Sequence, residues 1–213
     1  MAIGVFDGMH RGHQLLINSA IKQSKRLKAK SLVITFFPHP AHVLSKNRQL
    51  PYLMTLEHRL TCLKNMGVDV VWVVPFSKRF AKINPYYFIK EILVNQLGAK
   101  TINVGANFRF GKDREGDVAL IKSLAKESGY QTFAHHPIIS SGKIISSGRL
   151  REIIPNGKLK EAKQLLGRHF SLNGKVTLGD GRGQGLGFPT ANIDYNSDVL
   201  PPLGVYAVRI LWK

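Results

Sequence analysis

Short apolar runs alternate with amphipathic segments through the first 135 residues of the chain. The apolar runs cover positions 2–6, 31–36, 70–74, 101–104 and 131–134, and helical patterns lie between them at 12–27, 56–66, 85–97 and 117–128. Strands that are apolar on both faces and separated by helices are typical of a parallel sheet with helices on both sides. The pattern therefore predicts an α/β domain whose ligands bind at the carboxyl ends of the strands.

The pattern changes after about residue 157. A short helical stretch at 158–166 ends at Gly167, after which helical periodicity disappears and glycine recurs at Gly174, Gly179, Gly181, Gly183, Gly185 and Gly187. Frequent glycine between short apolar runs favours antiparallel strands and turns. We therefore expect a first domain at 1–157 and a second, β-rich domain at 158–213.

Composition narrows the class of protein. With 213 residues and 44% hydrophobic content, the chain is long enough to bury a substantial core. It has no apolar run of transmembrane length and no signal-peptide pattern, so we expect a soluble, cytoplasmic protein without a membrane partner. Cys62, the single cysteine, excludes an internal disulfide.

The formal net charge of +18 is a feature of many nucleic-acid-binding proteins. The positive charge is nevertheless spread along the chain, and its densest cluster follows the polar side of the first predicted helix at Lys22, Lys25, Arg26, Lys28 and Lys30. We interpret this cluster as a solvated face and do not expect a nucleic-acid partner. Attraction of polyphosphate substrates is a sufficient role for the positive field.

Residues 4–13 read GVFDGMHRGH, where the first apolar run turns into a helix. The glycines allow backbone to approach a ligand, and the helix that follows offers unpaired N–H groups to an anion. His10 and His13 lie three residues apart and are suited to stabilise oxygens that gain charge in phosphoryl chemistry. The string predicts a nucleotide-phosphate site. A metal site is less favoured because no Cys or Glu completes a ligand set, and a capped helix with two exposed histidines is the structural alternative.

Two further strings follow the ends of predicted strands. FFPHP at 36–40 contains His39, and GANFRFG at 105–111 contains Asn107, Phe108 and Arg109. Because these strings and the first motif share one edge of the sheet, we expect a single site. The second string is not a P-loop, since its spacing is wrong and Asp113 stands where Ser or Thr would bind magnesium. Phe108 could stack on a flat ring or equally be part of the core.

The string ISSGRLR at 145–151 places Ser146 and Ser147 just ahead of a helix whose first turn contains Arg149 and Arg151. Serine caps would explain the hydroxyls. Arginines at a helix N-terminus oppose the dipole, so they indicate an anion at this position, as a bound polyphosphate would provide.

The glycine-rich string at 179–192 ends in FPTAN and lacks the spacing of a dinucleotide fingerprint. Thr190 and Asn192 alternate on an extended segment and offer two oxygen ligands on one side, as a magnesium–nucleotide site would require. A flexible hairpin loop is the alternative.

Taken in order and spacing, these five strings resemble the bacterial bifunctional riboflavin kinase/FMN adenylyltransferase (FAD synthetase) family over essentially the whole chain. The resemblance implies a Rossmann-like nucleotidyltransferase domain, followed by an incomplete antiparallel β-barrel related to riboflavin kinases. The first domain would make FAD and pyrophosphate from FMN and ATP by direct attack of the FMN phosphate on the α-phosphorus, without a covalent nucleophile.

The resemblance also assigns roles to residues. His10, His13 and Arg149 would be catalytic. ATP would be bound by Gly4, Phe6, Asp7, Gly8, His10, His13, Ser146, Ser147, Arg149 and Arg151. The flavin would be bound by His39, Asn107, Phe108 and Arg109. Mg²⁺ would bridge the phosphates, and Thr190 and Asn192 would bind it in the kinase-like domain. ATP, FMN and riboflavin are the expected substrates.

Two departures from the family pattern modify these expectations. Gly148 stands where the family commonly has threonine, which removes one hydroxyl from the phosphate motif, so we expect adenylyl transfer that is slower but not abolished. No residue of this chain can be matched to the glutamate base of the family's kinases, so we expect no riboflavin phosphorylation by the 213-residue chain.

Three other functions stay open on the sequence alone. Another small-molecule nucleotidyltransferase, for pantetheine phosphate or glycerol phosphate, would share the His-x-x-His turn but lack the FPTAN segment. A basic RNA-binding protein on a class I synthetase-like fold would use the charge, and an inactive flavin-binding remnant would bind without turnover. Formation of FAD from FMN and ATP separates the favoured function from all three.

Overall fold

The computed structural model describes residues 1–45, 50–185, 187–188, 190–195 and 197–211. Its centre is a five-stranded sheet in the order β3-β2-β1-β4-β5, with every neighbouring pair parallel. The strands are β1 Ala2–Ile3, β2 Leu32–Phe37, β3 Val70–Pro75, β4 Thr101–Gly105 and β5 Gln131–His135. The predicted parallel sheet is therefore confirmed.

Helices cover both faces of this sheet. The helices are α1 Arg11–Arg26, α2 Pro40–Leu44, α3 Leu56–Asn65, α4 Lys78–Ala81, α5 Pro85–Tyr87 and α6 Val118–Ser128. A π-helix, Phe88–Gln96, continues α5, and a short 3₁₀ turn covers Lys112–Arg114. The segment predicted as one helix at 85–97 is thus helical, but Phe88–Gln96 form a π-helix, which has more residues per turn than an α-helix.

The two faces have separate cores, as alternation along the strands requires. Ile3 and Ile34 pack in the cluster that contains Ile89 of the π-helix. Ala2 and Val33, their neighbours in sequence, pack in the cluster that contains α1 and α3 side chains. The strand order reverses between β1 and β4, and ligands of open parallel sheets bind outside the carboxyl ends at such a point.

β1 is shorter than the predicted strand at 2–6. The chain leaves the sheet ladder after Ile3, although the Gly4 N–H still donates to the Ile34 carbonyl at 3.1 Å. Phe6 then takes a positive φ of 56°, which a strand cannot accommodate. The apolar run continues because Phe6 is buried in a turn rather than in a strand.

The part of the chain directly after β5 forms a small additional layer. It contains the hairpin of β6 Ile139–Ser140 and β7 Lys143–Ile144, then α7 Ser147–Ile153 and α8 Leu159–Leu166. The two helices share a core in which Leu150 and Ile153 pack with Leu165 and Leu166. Val199, from much later in the chain, belongs to the same cluster.

The remaining chain contains β8 Gly174–Thr177 and β9 Asn192–Tyr195, paired antiparallel, and a four-residue helix, α9 Arg182–Gly185. Both strands are exposed along their whole length. The antiparallel pair agrees with the predicted β-rich segment, and the barrel stays a prediction. No helix among the residues described combines the length and hydrophobicity needed to cross a bilayer.

Candidate nucleotide site

A tight turn joins β1 to α1 at the carboxyl edge of the sheet. Phe6, Gly8 and Met9 have positive φ angles of 56°, 86° and 47°. Phe6 and Met9 are fully buried, so their side chains hold this unusual backbone in place. The turn directs the Asp7 carboxylate inward, where the residue is 1% exposed.

His10 and His13 lie together at the start of α1. His10 is the N-cap, and its Nδ1 accepts a hydrogen bond from the His13 backbone N–H at 3.3 Å. The two rings stack with centroids 3.6 Å apart and an interplanar angle of 19°. Because Nδ1 of His10 accepts, a neutral His10 carries its proton on Nε2 and can donate from that atom.

Both imidazoles are neutral at pH 7. Burial lowers the pKa of His10 to about 4. Burial also lowers the pKa of His13 well below its ordinary value, and the neighbouring His10, Arg59 and Arg151 lower it further. The pair therefore offers N–H donors without positive charge of its own.

Asp7 links this turn to α7. Its Oδ2 accepts from Arg151 Nη2 at 2.5 Å and from the Leu53 N–H at 3.2 Å. Ser147 Oγ donates to the Asp7 backbone carbonyl at 2.7 Å. Burial raises the pKa of Asp7, although the Leu53 N–H and the charge of Arg151 act in the opposite direction. The structure thus brings Asp7 together with Ser147 and Arg151.

Arg149 has a different set of partners. Its Nε and Nη2 donate to Glu161 Oε1 at 3.0 and 2.6 Å, and its Nη1 donates to the Ser140 and Lys143 carbonyls. Ser146 caps α7 by accepting from the Arg149 N–H at 3.2 Å. Arg149 therefore joins α7 to α8 and to the β6–β7 hairpin.

These contacts remove the argument that two arginines in the first turn of α7 indicate a bound anion, and Arg151 lies in the last turn of this short helix instead. Arg151 pairs with Asp7 and Arg149 pairs with Glu161, so the chain itself supplies both negative charges. Neither partner is visible in the local sequence, because one lies 144 residues before Arg151 and the other is on the next helix.

Arg59, which the sequence analysis did not single out, lies under the same turn. The residue is 0% exposed, and its Nη1 donates to Thr35 Oγ1 and to the Phe36 carbonyl, both at 3.2 Å. Its positive charge contributes to lowering the pKa of Asp7, His13 and His39. The one signal in the sequence is its position on the inner face of α3, four residues before the buried Leu63.

His39 belongs to the same surroundings. It caps α2, with Nδ1 accepting from the Ala41 N–H at 3.0 Å, and its own N–H donates to Tyr52 Oη at 3.0 Å. Burial lowers the pKa of His39 to about 4, and the charges of Arg151 and Arg59 contribute. Tyr52 is a second residue that sequence reasoning missed.

The segment after β4 shares the edge of the sheet but makes contacts of its own. Arg109 pairs with Asp117 at 2.8 Å, and Asn107 is exposed. Phe108 stacks on Phe110 with ring centroids 5.4 Å apart, and both pack against the core. Of the two roles that the sequence left open for Phe108, this packing favours the core.

Thr190 and Asn192 lie in the glycine-rich segment, and both are exposed. Asn192 begins β9 and pairs in register with Thr177, and its amide covers Gly179. Thr190 lies in the same way beside Gly183. Within the described ranges, no group of three or more His, Cys, Asp or Glu could hold a metal ion. A magnesium ion here would depend on neutral oxygens and on substrate phosphates.

Comparison with known proteins identifies the family. The family model for FAD synthetase matches residues 1–149, and that for riboflavin kinase matches residues 166–213. A bifunctional riboflavin kinase/FMN adenylyltransferase of Escherichia coli strain K12 is 36% identical over 211 residues, covering 99% of this chain and 67% of that protein. The protein of the same name from Listeria monocytogenes is 40% identical, covering 98% of this chain and 67% of that protein.

A solved structure has the same fold. The crystal structure of a macrolide-efflux protein from Streptococcus pneumoniae matches with a TM-score of 0.79 and 29% identity, over 94% of this chain and 66% of that one. The macrolide-efflux name belongs to the Streptococcus pneumoniae protein and is not transferred to this chain. This chain spans about two thirds of the length of the curated relatives. It belongs to the family of bifunctional riboflavin kinase/FMN adenylyltransferases, with a FAD synthetase region followed by a riboflavin kinase region.

Proposed function

We propose that this chain makes FAD by transferring the adenylyl group of ATP to FMN with release of pyrophosphate. The observation that carries the proposal is the β1–α1 turn, where His10, His13, Asp7 and Arg151 converge at the switch point of the sheet. This turn lies inside the region that matches FAD synthetases. The family membership weighs against the other nucleotidyltransferases and against an RNA-binding protein.

In this reaction an oxygen of the FMN phosphate forms a bond to the α-phosphorus of ATP while the bond to the bridging oxygen of pyrophosphate breaks. Such a displacement needs positioning and charge stabilisation rather than a protein nucleophile. His10 Nε2–H is the proposed donor to an α-phosphate oxygen. His13, stacked on His10, holds that ring in place, and the first N–H groups of α1 add positive potential.

The leaving pyrophosphate is proposed to lie against the N-terminal turn of α7. Arg151 pairs with Asp7 of the β1–α1 turn, and the Ser147 hydroxyl donates to the backbone carbonyl of the same residue. Arg149, proposed as catalytic, would have to leave Glu161 to touch a phosphate. Ser146 keeps its capping bond and offers its hydroxyl as the second polar group of the motif.

The flavin is proposed to bind between two segments at the same edge, with His39 on one side and Asn107 and Arg109 on the other. Phe108 packs against the core and would support this second segment rather than stack on the flavin ring. His39 is supported by its closeness to the charges of Arg151 and Arg59. Asn107 is supported by its exposure directly after β4, the strand beside β1.

Magnesium is proposed to bind together with the nucleotide. The described residues offer no acidic cluster for the ion, so phosphate oxygens would provide most of its ligands, and the ion would neutralise phosphate charge. Thr190 and Asn192 are proposed as its two oxygen ligands in the riboflavin kinase region. The riboflavin kinase family model matches this region, whereas the sequence predicts no phosphorylation of riboflavin by the 213-residue chain; that prediction stays untested.

The experiment is incubation of the purified chain with FMN, ATP and Mg²⁺, followed by chromatography of the flavins and measurement of pyrophosphate. We expect FAD and pyrophosphate in equal amounts. His10→Asn should lower kcat by about 10²–10³-fold, the usual effect of removing one donor to a developing charge. His136→Asn is the matched control at an exposed histidine and should leave kcat unchanged. Absence of FAD with the unaltered chain, or equal effects of the two variants, would refute the proposal.

A further inference from the structure

Buried polar atoms without a hydrogen-bond partner gather at one place in the described part of the chain. They are Asp7 Oδ1, His13 Nδ1 and two atoms of Arg59, Nε and Nη2. An unsatisfied buried polar group is unfavourable, and native proteins contain few of them. Four such atoms, one each on Asp7 and His13 of the β1–α1 segment and two on Arg59 of α3, indicate a second arrangement in which some of them are paired.

Asp7 and Arg59 are complementary in this respect. Asp7 uses Oδ2 for Arg151 and the Leu53 N–H, which leaves Oδ1 free. Arg59 uses Nη1 alone. Thr35 Oγ1 accepts from Arg59 and donates to the Val5 carbonyl, two residues before Asp7, so Arg59 lies at the same turn. Each charge also shifts the pKa of the other residue, yet Asp7 has Arg151 as its ion-pair partner. A carboxylate with a free oxygen therefore lies near a buried cation with two free donors.

The two arginines differ in their access to a ligand. The Arg151 side chain is 11% exposed, whereas Arg59 is 0% exposed. Arg151 lies on α7, against which the pyrophosphate is proposed to lie, and Arg59 lies beneath Thr35 and Phe36. If Arg151 turned to a phosphate, Asp7 would remain as a buried carboxylate with the Leu53 N–H as its donor. An uncompensated buried charge is strongly unfavourable, so a replacement cation is required.

We propose that Asp7 exchanges arginine partners when a polyphosphate binds. Arg151 holds Asp7 in the unliganded site, and Arg59 holds it once Arg151 has turned to the phosphates. Arg59 is then a positioning residue, because it touches Asp7 rather than the substrate and makes the release of Arg151 favourable. This inference rests on the proposed function in one respect, namely that Arg151 binds the phosphates of ATP.

The test is a double-mutant cycle on the binding of tripolyphosphate and of ATP with Mg²⁺, measured by calorimetry. Arg59→Met keeps an unbranched apolar side chain in place of the arginine stem and removes the charge and the donors, and it should weaken binding at least tenfold. Arg59→Lys should recover part of this loss. In an Asp7→Asn chain, Arg151 has no carboxylate to leave, so adding Arg59→Met should change affinity less than twofold. Equal effects of Arg59→Met in both backgrounds would overturn the exchange.

A second measurement uses the unaltered chain and does not depend on folding of the variants. The Nε–H resonance of Arg59 in an NMR titration with tripolyphosphate should shift and exchange more slowly with solvent, because it gains Asp7 as acceptor. Tripolyphosphate binding with an unchanged Arg59 resonance would refute the exchange while leaving the proposed function intact. Failure of the unaltered chain to bind tripolyphosphate or ATP would instead refute the proposed site.

Discussion

Gly8→Ala is a direct test of how tightly the β1–α1 turn is built. Gly8 has a φ of 86°, and a Cβ placed there would lie 2.7 Å from Leu53 Cδ1 and 3.4 Å from Leu150 Cδ1. The left-handed backbone alone costs alanine about 1–2 kcal/mol. Leu53 and Leu150 are buried at 3% and 0% exposure, so relieving the contact should cost a further amount of about 1–3 kcal/mol.

Gly129→Ala separates these two costs. Gly129 has a φ of 68° at the end of α6, but a Cβ there would meet no atom within 4 Å. This variant should therefore lose about 1–2 kcal/mol from the backbone alone. Urea unfolding followed by tryptophan fluorescence and circular dichroism gives both values, provided that the two probes coincide.

The difference between the two glycine variants is the decisive quantity. We expect Gly8→Ala to be less stable than Gly129→Ala by about 1–3 kcal/mol, and Leu53→Val in the Gly8→Ala chain to restore part of that difference. The KM of Gly8→Ala for ATP should rise as well. Leu53 is the residue that a new Cβ would displace, and its backbone N–H donates to Asp7 in the proposed ATP site. Equal destabilisation by the two variants would show that the turn has room for a side chain and would refute the argument.

Three further changes test other parts of the site. A Cβ at Gly148 would meet only Ser146 Oγ at 3.7 Å. Gly148→Thr should therefore raise kcat/KM for ATP about two- to tenfold, the value of one added hydrogen bond, and Gly148→Val should not. The pKa of His10 is about 4 in the folded chain against 6.5 ordinarily, so the unfolded chain binds more protons between these values. Stability should be complete above pH 6.5 and fall by up to about 3 kcal/mol as the pH decreases toward 4, with a shallower fall in His10→Asn; a stability that rises on acidification would contradict this. Glu161→Gln removes the ion pair of Arg149 and should cost about 1–2 kcal/mol in urea unfolding, whereas Glu127→Gln at an exposed pair should cost under about 0.5 kcal/mol.

The sheet was predictable because its signal is local and repeated. Each strand is a short apolar run between helical patterns, and a parallel sheet is the architecture that buries such strands on both faces. The end of β1 was not predictable in the same way. Phe6 is as apolar as a strand residue, and only its positive φ, imposed by the turn, removes it from the ladder.

The clustering of the candidate residues was more predictable than their pairings. Glycines and histidines after β1 predict a phosphate-binding turn because glycine lets the backbone approach a ligand and the following helix offers free N–H groups. The ion pairs that organise the turn join positions far apart in the chain, such as Asp7 with Arg151. Arg59 illustrates the limit, because a single arginine in an amphipathic helix is usually at the surface.

The central claim is that the β1–α1 turn binds the phosphates of ATP beside α7. A crystal structure of the chain with Mg²⁺ and a non-hydrolysable ATP analogue tests it most directly. We expect an α-phosphate oxygen within hydrogen-bond distance of His10 Nε2, and Arg151 turned from Asp7 toward the phosphates. An analogue bound elsewhere on the chain, or bound at this edge with His10 facing away from it, would contradict the account.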